Sequence, residues 1–209
     1  MSDHVEVIGT GTATASPDVV VLDVRVAVEA RDVASALSSL ATRLDAAVVA
    51  AADHGVGEHD RRTTGMGVSP RWDREGQSVT GYTAHQALRL RVRDRGRVSD
   101  VISALAGAAG DALAVDSVSL EVADPSPLLV RARAAAFADA NTRARQYADL
   151  AGRSLGPVLA LSEVPPGSGG GPSPKLRFAA MDAGGGVPVE GGESAVTATV
   201  VARFALGPA

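Results

Sequence analysis

The residues best equipped for chemistry sit in one alternating stretch, where His85, Arg89, Arg91 and Arg93 occupy every second or fourth position after Tyr82. In an extended strand such spacing puts them on one face. Guanidinium groups pair well with carboxylate and phosphate, so the row predicts a surface able to take an anionic ligand. A competing expectation is that acidic neighbours across the sheet, such as Asp23 and Glu29, match these arginines. Pairing with neighbours or solvent is the favoured of the two.

The remaining candidates are weaker. His54, Glu58 and His59 are close in sequence and could ligate a metal. However, they straddle Gly55 and Gly57 at a helix end, which implies no shared face, and no metal site is expected. Gly9-x-Gly11 follows a strand, but Pro17-Asp18 and a valine-rich strand come next instead of a helix N-terminus to receive a phosphate. Ser16, Ser69 and Ser126 each precede a proline or a proline turn, which reads as turn and cap chemistry. With no nucleophile elbow, phosphate-binding loop or paired-carboxylate motif, no catalytic residue and no cofactor are assigned. The reading leans away from an enzyme.

Composition narrows the classes further. The chain has 209 residues, with 45% apolar residues, no cysteine and a net charge of −4. Absence of cysteine removes disulfides, thiolate nucleophiles and Cys-ligated zinc. Only 3% of residues are aromatic, too few for base-stacking platforms, and with the acidic balance this argues against nucleic acid as a partner. The opening MSDHVEVIGT has neither the basic nor the apolar region of a signal peptide. No run approaches the roughly 20 apolar residues of a membrane span. A cytoplasmic location is therefore expected as the chain is written, and a periplasmic or exported one if a leader has been removed.

The elements that must position these residues follow from periodicity. Val5–Ile8 reads as a short strand and the next, VVVLDVRVAVEA, places Val20, Leu22, Val24, Val26 and Val28 on one face. These two strands are expected to pair as a hairpin. Asp32 caps a helix carrying Val33, Leu37, Leu40, Leu44, Ala47 and Ala51, and Gly55 ends it. A weak strand over 61–69, a polar loop over 70–79 containing Trp72, and the arginine-bearing strand from Tyr82 follow. A short helix after Asp94 and a strand over Leu113–Val122 lead into one long helix at about 125–151. Asp124 and Pro125 mark its start and Gly152 its stop. Its length of about 27 residues corresponds to roughly 40 Å. Val130, Ala134, Phe137, Ala144, Ala148 and Ala151 are expected to form its buried stripe, with Phe137 the largest filler. Strands over Val158–Glu163 and Val196–Leu206 close the chain.

The order ββαββαβαββ predicts an α+β fold, a largely antiparallel sheet with helices packed on it. The whole of 1–209 reads as one domain. Two β-helix-β passages, 19–69 and 82–122, hint at duplication, and 165–192 reads as a Gly/Pro-rich loop or arm.

In that order the segments VEVIGTGTATASPDVVVLDVRV, GYTAHQALRLRVRD, DSVSLEVADPSPLLVRARAAAFADANTRARQYADLAG, LGPVLALSE and GGESAVTATVVARFAL resemble the SIMPL domain. This family includes periplasmic oxidative-stress-defence proteins and bacterial outer-membrane or periplasmic antigens. The resemblance runs from Val5 to Leu206. It implies an α+β fold, self-association into a homo-oligomer and a stress-related or scaffold role, with no catalytic residues to transfer. The alternative is a small-molecule or anionic-ligand binder, or an enzyme, with a pocket between sheet and helices.

Overall fold

The computed structural model describes residues 3–165 and 192–208. Ten elements appear in the expected order. They are β1 (His4–Ala15), β2 (Val19–Ala30), α1 (Val33–Asp53), β3 (Arg61–Trp72), β4 (Val79–Val92), α2 (Val98–Ala109), β5 (Leu113–Glu121), α3 (Ser126–Leu150), β6 (Leu155–Glu163) and β7 (Ser194–Leu206). The fold is α+β, as predicted, but the strands divide into two antiparallel sheets, β1-β7-β6 and β3-β4-β2-β5. The β1–β2 hairpin does not form. Strand β1 pairs along its whole length with β7, Val7 opposite Ala202 and Gly11 opposite Ala198. The bulk of the 165–192 segment, residues 166–191, lies outside the described residues.

The chain divides into two compact units. Among described residues one comprises 17–123 and the other 3–16, 124–165 and 192–208. In the first, the even face of β2 supplies Val20, Leu22, Val24 and Val26 to a core shared with Ala84, Leu88, Leu90 and Val92 of β4. Helices α1 and α2 cover this face through Ala36, Leu40, Leu44, Ala47 and Ala51, and through Val98, Val101 and Leu105. Asp32 caps α1 as its sequence suggests, accepting from the Ser35 N–H at 2.8 Å. By length and composition α1 is apolar enough to cross a membrane. Its buried residues nonetheless form one stripe facing the core, with Arg43 and Asp45 exposed, as in an amphipathic core helix. Strand β3 extends to Trp72, so the loop expected at 70–79 shrinks to the turn between Trp72 and Val79.

In the second unit, α3 lies on β1 and β7. Its stop matches expectation, Gly152 taking φ +66, but its start falls one residue later: Pro125 is the N-cap, without a side-chain capping bond, and Asp124 precedes it, accepting from the Ser126 N–H at 2.9 Å. Its facing does not match expectation. The buried stripe is Leu128, Ala132, Ala136, Ala140, Ala144 and Ala148, while Val130 is 64% and Phe137 37% exposed. The reason lies in β1, where Gly9 and Gly11 face the helix. A Cβ on Gly9 would fall 2.6 Å from the Ala140 nitrogen, and one on Gly11 2.7 Å from the Ala135 carbonyl carbon. Helix backbone and strand backbone therefore meet directly, which only a stripe of alanines permits. Phe137 sits at the margin of this seam, its ring tilted 35° against that of buried Phe204 at 6.4 Å.

Candidate functional site

Because the even positions of β2 and β4 are committed to the core, the odd positions project from the opposite face of the four-stranded sheet. That face carries the predicted row, and its members are unequally satisfied. Asp23 stands directly across from Arg89 and receives two hydrogen bonds from it, at 2.8 and 3.0 Å, plus one from the Ser117 hydroxyl at 2.9 Å. The Arg89 hydrogen bonds hold the Asp23 carboxyl below its ordinary range, against the opposing effect of burial, and raise Arg89 in turn. Glu121 of β5 lies 3.9 Å from the same guanidinium. Just beyond β4, Arg93 donates twice to Asp60, both at 2.8 Å. Those bonds lower the Asp60 carboxyl, with Arg91 and His59 adding smaller Coulombic contributions. Glu29, the other expected acid, is taken by Arg71 at 2.6 Å.

Two guanidiniums remain. Arg62, at the start of β3, faces Arg89 directly across the strand pair. Arg91 follows two residues along β4 on the same face. Neither makes a hydrogen bond or ion pair among the described residues, although Arg62 acts on Asp23 and Arg91 on Asp60 through longer-range Coulombic attraction. Between them opens a recess of about 190 Å³ lined by His59, Asp60, Arg62, Arg89 and Arg91. The chain as a whole is acidic, so this is a local concentration of positive charge. Such an arrangement binds carboxylate or phosphate oxygens through forked N–H donors.

Of the four residues picked from the sequence, Arg89 and Arg91 line the recess, while His85 and Arg93 do not. His85 lies opposite Gly67 of β3, where a Cβ would come within 2.8 Å of its ring. Arg93 is occupied by Asp60. Arg62 was missed, and His59 was weighed only as a metal ligand, because neither belongs to β4. The Arg61-Arg62 doublet at the head of a strand was the available signal, since an antiparallel hairpin brings the head of β3 beside the tail of β4. Among the described residues no three His, Asp or Glu side chains converge in a metal-binding group. His54 instead contacts the Ala50 carbonyl at 2.9 Å through Nδ1. In the other unit, a polar groove of about 460 Å³ runs between Asn141, Arg145 and Asp149 of α3 and Ser154–Gly156.

Comparison with known proteins places the chain in a family. The chain is 27% identical over 217 residues to the 26 kDa periplasmic immunogenic protein of Brucella melitensis, covering 97% of this chain and 84% of the relative. It is 29% identical over 182 residues to YggE of Escherichia coli K12, an uncharacterized protein, covering 86% and 72%. The SIMPL family model, described as a protein of unknown function (DUF541), matches residues 5–204. This chain belongs to the SIMPL family.

Proposed function

We propose that this chain is a non-enzymatic binding and interaction protein of the periplasm or cell exterior whose ligand carries an anionic group held in the arginine recess. The observation that carries the reading is the pair of guanidiniums, Arg62 and Arg91, that line the recess with no hydrogen bond or ion pair among the described residues. Like charges placed directly across a strand pair are destabilising. Local rules of this kind are broken most readily where function requires it. The name of the Brucella relative supports the location. The family resemblance supports a stress-related or scaffold setting. Thermal unfolding across a panel of small carboxylates and phosphates, at constant ionic strength, tests the site. Saturable stabilisation is expected, because binding to the native state must produce it. A flat response to every anion would dismiss the reading.

A second reading, self-association, has its own observation. Both β3 and β6 are edge strands, and both expose large apolar residues, Met66 and Trp72 on one, Leu159 and Leu161 on the other. Exposed apolar edges invite pairing with another chain. Sedimentation equilibrium should show a species heavier than the monomer, and Leu161→Lys should shift it toward monomer. A monomer at every concentration would remove this reading.

A further inference from the structure

We infer that the arginine recess selects a compact dianion, a phosphate group or a small dicarboxylate, which bridges Arg62 and Arg91 and fastens the entry of β3 to β4. This inference rests on the anion-site reading above and adds ligand charge and mechanical consequence to it. Arg62 faces Arg89 across the strands. Arg91, two residues further along, is therefore its diagonal neighbour, a relation that places backbones about 7–8 Å apart. Two long side chains at that separation can close on a single small anion. Arg89, between them, already gives its Nε and one Nη to Asp23, and Asp60 has both carboxylate oxygens engaged by Arg93. The acids nearest the recess are thus committed, and the open donor edges belong to Arg62 and Arg91. Two open guanidiniums match two ligand charges. The recess of about 190 Å³ admits a phosphoryl group or short diacid, and anything larger must leave its remainder outside.

The consequence follows from topology. Strand β3 is an edge strand that is exposed along nearly its whole length. It enters from the 3-10 turn Glu58–Asp60, which brings His59 to the recess. Apart from backbone pairing with β4, the entry and head of β3 are tied by the two Arg93 bonds to Asp60, by the Arg61 bond to the Val48 carbonyl at 2.9 Å and by the Gln86 amide bond to the Thr63 hydroxyl at 3.0 Å. An anion shared by Arg62 and Arg91 adds a further tie, this one between β3 and the tail of β4 at Arg62 itself, so binding should slow local opening of this segment.

The test compares calorimetric titrations of the full chain at constant ionic strength and at a pH where phosphate carries two charges. Inorganic phosphate and succinate are the dianions, with dimethyl phosphate and butyrate as monoanion partners. At least one dianion should bind about tenfold more tightly than its monoanion partner. Whichever does so identifies the phosphoryl or the dicarboxylate source. Arg62→Ala and Arg91→Ala should each reduce it to the monoanion level, while Arg74→Ala, in the exposed turn after β3, leaves it unchanged. Amide exchange over 59–63 should slow on binding in the unaltered chain and not in Arg62→Ala. Equal affinity for monoanions and dianions, or full affinity in Arg62→Ala, would overturn the dianion proposal and leave an anion site standing. Failure of all four anions to bind would remove both.

Discussion

At Gly11 the backbone of β1 runs so close to α3 that the three atoms nearest an added methyl group are all helix backbone, from Ala132, Ala135 and Ala136. Backbone cannot step aside as a flexible side chain can, so Gly11→Ala forces helix and strand apart. A loss of about 2–3 kcal/mol in urea unfolding is expected, at the upper end of ordinary overpacking. Gly57→Ala, where a Cβ meets nothing within 4 Å, should stay within about 0.5 kcal/mol of the parent chain. Similar losses at both positions would mean that β1 and α3 are not in direct contact. The recess offers a second residue-level test, through Asp23. Its folded-state pKa lies below the unfolded value of about 3.8, chiefly because Arg89 hydrogen bonds to it. A depressed carboxylate contributes stability above the unfolded value and loses it as pH falls through the folded one. Asp23→Asn should therefore be less stable than the parent at neutral pH and converge with it in acid, below about pH 4. A constant offset between the two stability–pH curves would show that Asp23 acts through packing and not through its charge.

Helix α3 shows both what periodicity reveals and where it misleads. Its existence, its bounds to within a residue and its stop were legible, because Asp124, Pro125 and Gly152 act locally, although Pro125 and not Asp124 is the N-cap. So was the inward face of β4, where Ala84, Leu88, Leu90 and Val92 alternate with the outward arginines. The facing of α3 was not, because a reading by side-chain size favours Phe137, whereas the contact with Gly9 and Gly11 selects for smallness. Nor was the pairing of β1 with β7, since it joins opposite ends of the chain and leaves no local trace. Half the recess was hidden for the same reason: Arg62 meets Arg89 only when the hairpin closes. The helix also guards the free edge of β1, in a way no pattern announces. Asp139 accepts the Thr10 N–H at 2.9 Å and Arg131 donates to the Thr14 carbonyl at 3.1 Å. Edge groups thus covered are withheld from other chains. The alanine seam leads to a ranking. Ala140→Leu, which inserts bulk against Gly9, should destabilise more than Phe137→Ala. The latter removes a ring already 37% exposed and should cost about 1–2 kcal/mol, less than a fully buried phenylalanine. The reverse order in urea titrations would return Phe137 to the centre of the helix–sheet contact.

For the molecule as a whole, the division into two compact units has a consequence for folding, because the units differ in how the chain builds them. Among the described residues the 17–123 unit is one continuous stretch, while the other needs both ends of the chain to pair β1 with β7. The continuous unit holds a complete set of parts. It has a four-stranded antiparallel sheet, two helices on one face, and a core of buried valines, leucines and alanines drawn from within its own span. A stretch of that size is long enough to bury a core of its own. It also contains every residue of the recess, together with the partners Asp23 and Arg93. The excised 17–123 fragment is therefore expected to fold alone, with a single cooperative urea transition and dispersed amide resonances. It should also keep the anion response of the full chain, since no part of the recess has been removed. Two failures would be informative in different ways. A fragment without a cooperative transition would show that its core depends on the rest of the chain. A folded fragment that had lost the anion response would place part of the ligand's seat outside 17–123.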